Sequence, residues 1–140
     1  IGILSAIALP SFLNQANKAK QSEAKTYVGS INKGQQAYYT EKTTFTSDIA
    51  ALGVGIETQT TNYEYTVEGN ETQLETEALT KGTAVNSGVL NSYHGMVFLV
   101  TTTGGSTSRT ILCETKGPEN GELKTGNTDC ADGNMNTVGG

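Results

Sequence analysis

Residues 1–40 read IGILSAIALPSFLNQANKAKQSEAKTYVGSINKGQQAYYT, and this stretch decides the fold. Its first nine residues are apolar or small on every side. From residue 12 onward, apolar residues recur every three or four positions, a spacing that forms one stripe on an α-helix. The residues of this stripe are Phe12, Leu13, Ala16, Ala19, Ala24, Tyr27, Val28, Ile31 and Tyr38. The sequence therefore predicts one long helix, buried all round at its start and half buried at its end. Its length is about 58 Å if it reaches Tyr39.

The start of this helix places small residues between large ones, a pattern typical of helices that pack closely in apolar surroundings. The apolar run is shorter than the roughly 20 residues that span a bilayer. We therefore expect the sequence to begin partway through a longer hydrophobic segment. Pro10 removes one backbone donor, which predicts a kink or a locally unwound turn just before it. Alternatively, Pro10 lies in the first turn of the true helix and residues 1–9 form a separate apolar piece.

The charge balance argues against one class of partner. The net charge of the 140 residues is −5, whereas binding along phosphate backbones requires a basic surface. Lys18, Lys20 and Lys25 form a small basic cluster, which we interpret as the solvated face of the helix. We therefore expect no sequence-independent binding to phosphate backbones, and no direct, sequence-specific binding of nucleic acid either.

Two cysteines, Cys113 and Cys130, are separated by loop-like sequence. Their spacing is not that of a metal or redox pair, and the single histidine, His94, is distant from both in sequence. A disulfide is therefore the better interpretation, which places this region in an oxidising compartment. Closing such a loop contributes about 3 kcal/mol to stability, chiefly through the unfolded state.

The sequence after the helix predicts a β-rich body. Asp48 and Gly53 flank Ile49–Leu52 in the manner of a capped short helix. Alternating or continuous apolar residues then predict four strands joined by short turns, which favours an antiparallel meander. The strands are expected at residues 62–68, 73–80, 93–102 and 107–115. Gly29 and Gly34, both poor helix formers, are expected where the helix packs closely against this body.

The fold class that follows is α+β, with the long helix as a spine packed on a four-stranded antiparallel β-sheet and a disulfide-bounded C-terminal loop after it. Residues 82–92 are expected to form a loop. The last part of the chain is rich in Gly, Asn, Asp and Thr, so residues 131–140 are expected to be mobile.

No set of residues in the sequence predicts catalysis, so we expect neither an enzyme nor a cofactor. His94 has no second histidine and no nucleophile motif near it, and we expect a structural role for it. Oxygen atoms of the C-terminal region could bind calcium, although their spacing does not match an EF-hand loop, and they are otherwise ordinary turn residues. These residues are Asn127, Asp129, Asp132 and Asn134.

The N-terminal stretch resembles the first helix of type IV pilins. Residues 1–39 carry the resemblance through their apolar run, the segment GILSAIALP at residues 2–10 and the amphipathic continuation. Residues 39–54 are similar to the pilin segment that joins the helix to its sheet, and the C-terminal cysteine pair is similar to the family's disulfide-bounded loop.

The resemblance implies the subunit of a surface filament, a pilus that serves adhesion, twitching motility and DNA uptake. Residues 1–13 would anchor the precursor in the inner membrane and later pack against copies of the same chain, while residues 14–140 form the outward body. Gly2 and Pro10 match positions where the family's helix loses regular structure in the filament. The implied filament-core residues are Ile1, Ile3, Leu4, Ile7, Leu9, Phe12 and Leu13.

Two further implications concern partners. The resemblance implies a pilus assembly machinery and a methylated N-terminal residue, although the residues that the family uses for processing and methylation are not in this sequence. A pseudopilin of a type II secretion system is the alternative, with the acidic loop after Cys113 as a contact for calcium or a secreted substrate.

Overall fold

The computed structural model of the chain describes the backbone of residues 2–118 and 120–139, and the side chains from Phe12 onward. A single helix, α1, covers Gly2–Lys42, three residues beyond the predicted end. At 1.5 Å per residue it is about 60 Å long. The other elements are β1 (Tyr63–Glu68), a short helix α2 (Glu71–Leu74), β2 (Glu77–Ala84), β3 (Tyr93–Thr102), β4 (Gly105–Thr115) and β5 (Met135–Thr137), with 3₁₀ turns at Ile49–Leu52 and Cys130–Gly133.

The strands form one antiparallel sheet in which each strand pairs with the next along the chain, in the order β1-β2-β3-β4-β5. The predicted spine, meander and disulfide-bounded loop are confirmed, except that the sheet has five strands rather than four. Short connections between consecutive strands explain the topology, because neighbours in sequence can pair without a crossover.

One face of the sheet packs on α1. Ala24, Val28 and Ile31 of the helix are fully buried against tyrosines of the sheet. Val28 lies where glycines leave room on β2 and β3: a β-carbon on Gly95 would come within 2.6 Å of Val28 Cγ1, and one on Gly82 within 3.0 Å of Val28 Cγ2. The helix therefore lies close to the sheet backbone at this point.

The opposite face of the sheet is covered by the C-terminal region. Leu79 and Met96 are directly opposed in the register of β2 and β3, and both belong to a second buried cluster with Leu123 and the two cysteines. Strand β3 thus has apolar cover on both faces, which explains why its first five residues are all buried.

The predicted strand at residues 73–80 was wrong in its boundaries. Asn70 and Gln73 form a reciprocal capping box, in which each side chain accepts a hydrogen bond from the backbone N–H of the other. This cap starts α2 at Glu71, so β2 begins only at Glu77 and continues to Ala84, into the expected loop.

The prediction of a mobile tail at residues 131–140 was also wrong over the described residues. Asp129 caps the 3₁₀ turn Cys130–Gly133, Asn134 turns the chain in the left-handed conformation, and β5 then pairs with β4. Met135 is 3% exposed. The disulfide and this buried methionine together provide the apolar contacts that the polar composition did not predict.

The close-packing predictions for Gly29 and Gly34 had opposite outcomes, and the predicted capped turn after the helix was confirmed. A β-carbon on Gly34 would come within 2.8 Å of Val54 Cγ1, which confirms close packing there. A β-carbon on Gly29 would have no atom of the body within 4 Å, so the prediction for Gly29 was wrong. The capped turn at Ile49–Leu52 is confirmed, with Asp48 at its N-cap and Gly53 in the left-handed conformation after it.

Candidate assembly surface

The first half of α1 extends beyond the body, and we call Gly2–Lys20 the projecting segment. Among the side chains that the structure describes, Gln21 is the first of the helix to hydrogen-bond to the body, where its Oε1 accepts from the backbone N–H of Asn91 at 3.0 Å. The projecting segment is therefore about 28 Å long.

The described side chains of the projecting segment are mostly in contact with solvent. Phe12 is 70% exposed and Leu13 is 59% exposed. No charged residue precedes Lys18 in this sequence, whereas Lys18 and Lys20 are both exposed. An uncharged surface with large apolar side chains is costly to leave in water.

The other predicted filament-core residues lie outside the described side chains. Ile1 lies outside the described residues altogether, and Ile3, Leu4, Ile7 and Leu9 are described by their backbone alone. The α-helical assignment includes Gly2 and continues through Pro10, so residues 2–9 are not a separate piece in the single chain. Helix break at these two positions on assembly stays a prediction. No helix among the described residues has the length and apolar character needed to cross a membrane.

Hydrogen bonds at the junction fix the direction in which the projecting segment leaves the body. Beside the Gln21 contact, Thr60 Oγ1 donates to Glu23 Oε2 at 3.2 Å. The hydroxyl of Tyr63 donates to the backbone carbonyl of Asn91 at 2.7 Å, so the loop before β3 is held from two sides.

Further along α1, polar side chains on its buried face bond to the body. Asn32 Nδ2 donates to the carbonyl of Ile111 at 3.0 Å. Gln35, which is fully buried, donates to the carbonyl of Thr46 at 2.6 Å and accepts from the N–H of the same residue at 3.0 Å. Sequence reasoning missed these residues, although their spacing from Val28 by four and seven positions places them on the buried stripe.

The loop between β2 and β3 adds a second exposed apolar surface. Val85 is 58% exposed and Val89 is 48% exposed, while Leu90 of the same loop is buried in the main core. This loop lies at the end of the body from which the helix projects, because its Asn91 bonds to Gln21. We call residues 85–92 the junction loop.

A polar groove of about 570 Å³ lies on the sheet face opposite α1. Lys81 Nζ is 2.7 Å from Glu122 Oε1 and 3.0 Å from Glu68 Oε1. Burial opposes the charge of Lys81, but its hydrogen bonds to these carboxylates raise its pKa overall, and the same bond lowers the pKa of Glu122. Glu64, Ser87 and His94 also line the groove.

His94 lines this groove and has the structural role that the sequence predicted. Burial, followed by the charge of Lys81, lowers its pKa from 6.5 to about 4. Its Nδ1 accepts a hydrogen bond from the backbone N–H of Leu123 at 3.1 Å. The imidazole therefore fastens the C-terminal region to β3 and needs its neutral form to do so.

Three tyrosines form a buried row between α1 and the sheet. The ring centroids of Tyr63 and Tyr65 are 6.1 Å apart, and those of Tyr63 and Tyr93 are 6.3 Å apart. Burial, reinforced by Glu23 near Tyr63 and Tyr65 and by Glu114 near Tyr93, raises the pKa of each phenol. These phenols thus stay neutral at physiological pH and act as core residues.

The C-terminal candidates for calcium are engaged in turns. Asp129 Oδ1 accepts from the N–H of Ala131 at 2.8 Å, and Asp132 Oδ2 accepts from the N–H groups of Thr128 and Asp129 at 3.1 Å. Within residues 2–118 and 120–139 no group of three or more His, Cys, Asp or Glu is placed to hold a metal ion.

The two cysteines form the predicted disulfide. Their Cα atoms are 5.5 Å apart, within the normal range for such a bond. Cys113 lies in β4 and is fully buried, and Cys130 begins the last 3₁₀ turn. The bond therefore closes the C-terminal region onto the sheet face opposite the helix.

Comparison with known proteins gives a consistent assignment. A stretch of 50 residues is 44% identical to the type IV major pilin protein PilA of Myxococcus xanthus, covering 36% of this chain and 22% of that protein. The chain thus matches about a fifth of the length of this curated relative. No solved structure matches. The family model described as type IV pilin-like G and H matches residues 21–136, from the first helix residue bonded to the body to the middle of β5. Because this match covers most of the 140 residues, the chain belongs to the type IV pilin-like family.

Proposed function

We propose that this protein is the structural subunit of a type IV pilus, a surface filament in which copies of the chain associate through the N-terminal helix. The observation that carries the proposal is the exposure of Phe12 and Leu13, at 70% and 59%, on a helix that extends beyond its own body. Burial of this surface against other copies removes apolar area from water, and each fully buried large side chain contributes about 1.5–3 kcal/mol.

The division of the chain supports the same function. Residues 1–13 form the part that associates in the filament core and anchors the subunit in the inner membrane before assembly, and residues 14–140 form the outward body. The sheet, the disulfide and the polar groove would then face the outside of the filament. The filament serves adhesion, twitching motility and DNA uptake, and a dedicated assembly machinery extracts the subunit from the membrane. A structural role needs no catalytic residues.

The test compares two substitutions that add the same charge at neighbouring positions. Leu13→Asp places a carboxylate in the apolar surface, where burial without a partner is costly, whereas Asn14→Asp places it on the polar side of the helix. In cells that produce the full-length protein, fibres sheared from the surface are examined by electron microscopy and labelled with an antibody to this chain. We expect labelled fibres for wild type and Asn14→Asp, and their loss for Leu13→Asp.

Two results would contradict the proposal. One is an absence of labelled fibres from wild-type cells that contain the protein. The other is a normal fibre yield from the Leu13→Asp variant with its body folded, as shown by an unchanged thermal unfolding transition.

A further inference from the structure

The described chain exposes large apolar side chains in two separate places. Phe12 and Leu13 lie on the projecting segment, and Val85 and Val89 lie on the junction loop, with exposures between 48% and 70%. Two different apolar surfaces on one molecule can form a head-to-tail contact, in which the first surface of each copy meets the second surface of the next. Such a contact repeats without closing when the rotation between copies is not that of a ring.

We infer that the junction loop of one copy receives the projecting segment of a second copy at Phe12 and Leu13. This inference rests on the proposed filament function and adds to it a contact between the helix of one subunit and the body of another.

The absence of charge on both surfaces supports the contact. Residues 85–92 read VNSGVLNS and contain no ionisable side chain, and residues 2–17 contain none either. Contact between these surfaces therefore buries valine, phenylalanine and leucine without leaving an unpaired charge in the interface.

The distribution of charge around the two surfaces is complementary. Residues 1–42 hold five lysines and two glutamates, a formal charge of +3, and residues 43–140 hold four basic and twelve acidic residues, a formal charge of −8. Lys18 and Lys20 follow the apolar part of the projecting segment and are exposed. Glu64 and Ser87 line the same groove, so a carboxylate lies beside the junction loop. The positively charged helix of one copy is thus attracted to the negatively charged body of another, whereas the bodies of two copies repel each other.

The junction loop is held in place before any partner binds. Its Leu90 is 4% exposed in the main core, and Asn91 bonds to both Gln21 and Tyr63. The valines are therefore presented on a fixed backbone, which reduces the entropy that association would cost.

The geometry gives the displacement between the two copies. Leu13 precedes Gln21 by eight residues, which is about 12 Å along the helix axis. Because Asn91 of the junction loop bonds to Gln21 of its own copy, docking Leu13 of a second copy on the loop, with the two helices parallel, would displace the copies by about 12 Å along the axis.

The experiment places a photo-crosslinking amino acid, p-benzoylphenylalanine, at Val89 in cells that produce the full-length protein. The matched control carries it at Thr103, an exposed position in the β3–β4 turn about 30 Å away along β3. After irradiation of sheared filaments, we expect crosslinked dimers on denaturing gels from position 89. Mass spectrometry should join that position to the tryptic peptide that ends at Lys18. Crosslinks from position 103 should not contain this peptide.

A second measurement does not depend on crosslinking. Val89→Asp should reduce filament yield by roughly tenfold or more, because a carboxylate then lies unpaired in the contact, while Thr103→Asp leaves the yield unchanged. Both variants should keep the wild-type unfolding temperature, since both positions are exposed.

The possible failures of the inference and of the proposed function differ. Filaments that form normally from Val89→Asp, or that give crosslinks from position 89 only within the body, would overturn the contact and leave the proposed filament intact. A lack of wild-type filaments would overturn both.

Discussion

Val28 of α1 lies directly over Gly95 of β3, and a β-carbon at residue 95 would come within 2.6 Å of Val28 Cγ1 and within 2.8 Å of the amide of Asn32. The space at Gly95 therefore sets how closely the spine approaches the sheet. The neighbours of this space are fully buried or nearly so, and they have little room to move.

We expect Gly95→Ala to lower the free energy of unfolding by about 1–3 kcal/mol, because the methyl group forces the helix and sheet apart. Chemical denaturation of the purified chain measures the change. Gly29→Ala is the matched control, since nothing lies within 4 Å of a β-carbon there and alanine favours the helix by up to about 1 kcal/mol. A Gly95→Ala variant as stable as Gly29→Ala would contradict the described packing.

Gln35 provides a second test of the contact between helix and body. Gln35→Met keeps the size of the side chain and removes both hydrogen bonds to the backbone of Thr46. Removing two hydrogen bonds from a fully buried side chain to a partly buried backbone should cost about 1–3 kcal/mol.

The neighbouring Gln36→Met serves as the control for this loss. Gln36 is only partly buried and bonds to Ser108 through one side-chain nitrogen, so its substitution should cost about 1 kcal/mol or less. Equal losses for the two variants in the same denaturation experiment would refute the role given to Gln35.

The sequence predicted those elements whose physical cause is local. Strand β3 has the predicted bounds, Tyr93 and Thr102, because its continuous apolar residues reflect cover on both faces. The long helix was predictable from its apolar stripe. Phe12 and Leu13, which the sequence predicts to be buried, are exposed in the single chain, and their place in a filament core stays a prediction.

Other features depend on contacts that no local pattern contains. Met135 stands among polar residues in the sequence, and it forms a strand only because the disulfide and Leu123 bring it to the sheet. The start of β2 differs from the prediction because the capping box of Asn70 and Gln73 starts a helix at Glu71. The junction loop was missed as a surface, since exposure of Val85 and Val89 depends on the tertiary fold.

The disulfide leads to a third prediction. Cys113 and Cys130 close a loop with a sequence separation of 17, and replacing both by serine should lower the free energy of opening of the C-terminal region by about 3 kcal/mol. The loss should be local, because the two cysteines pack with the C-terminal region rather than with α1. Amide hydrogen exchange measures whether the C-terminal region loses more protection than α1.

In that exchange experiment the N–H groups of Leu123 and Val138, which bond to His94 and Leu112, should lose protection in the double variant. The N–H of Ile31 within α1 should keep most of its protection. Uniform loss along the whole chain would show that the disulfide supports the entire fold instead of its C-terminal region.

The neutral state of His94 gives a prediction about pH. Its pKa falls from 6.5 to about 4 in the folded protein, through burial and then the charge of Lys81. The folded state therefore binds its proton more weakly than the unfolded state, so the stabilisation is complete above pH 6.5 and is lost as the pH falls towards 4. The loss between pH 7 and pH 4 should be on the order of 3 kcal/mol. Protonation also removes the acceptor for the N–H of Leu123.

His94→Gln, which cannot titrate, is the reference for this loss. Carboxylates such as Glu122 titrate in both proteins, so the difference between the two stability curves isolates the histidine. Denaturation at several pH values should show the wild-type curve falling more steeply below pH 6.5, and parallel curves would mean that His94 is not held neutral by the fold.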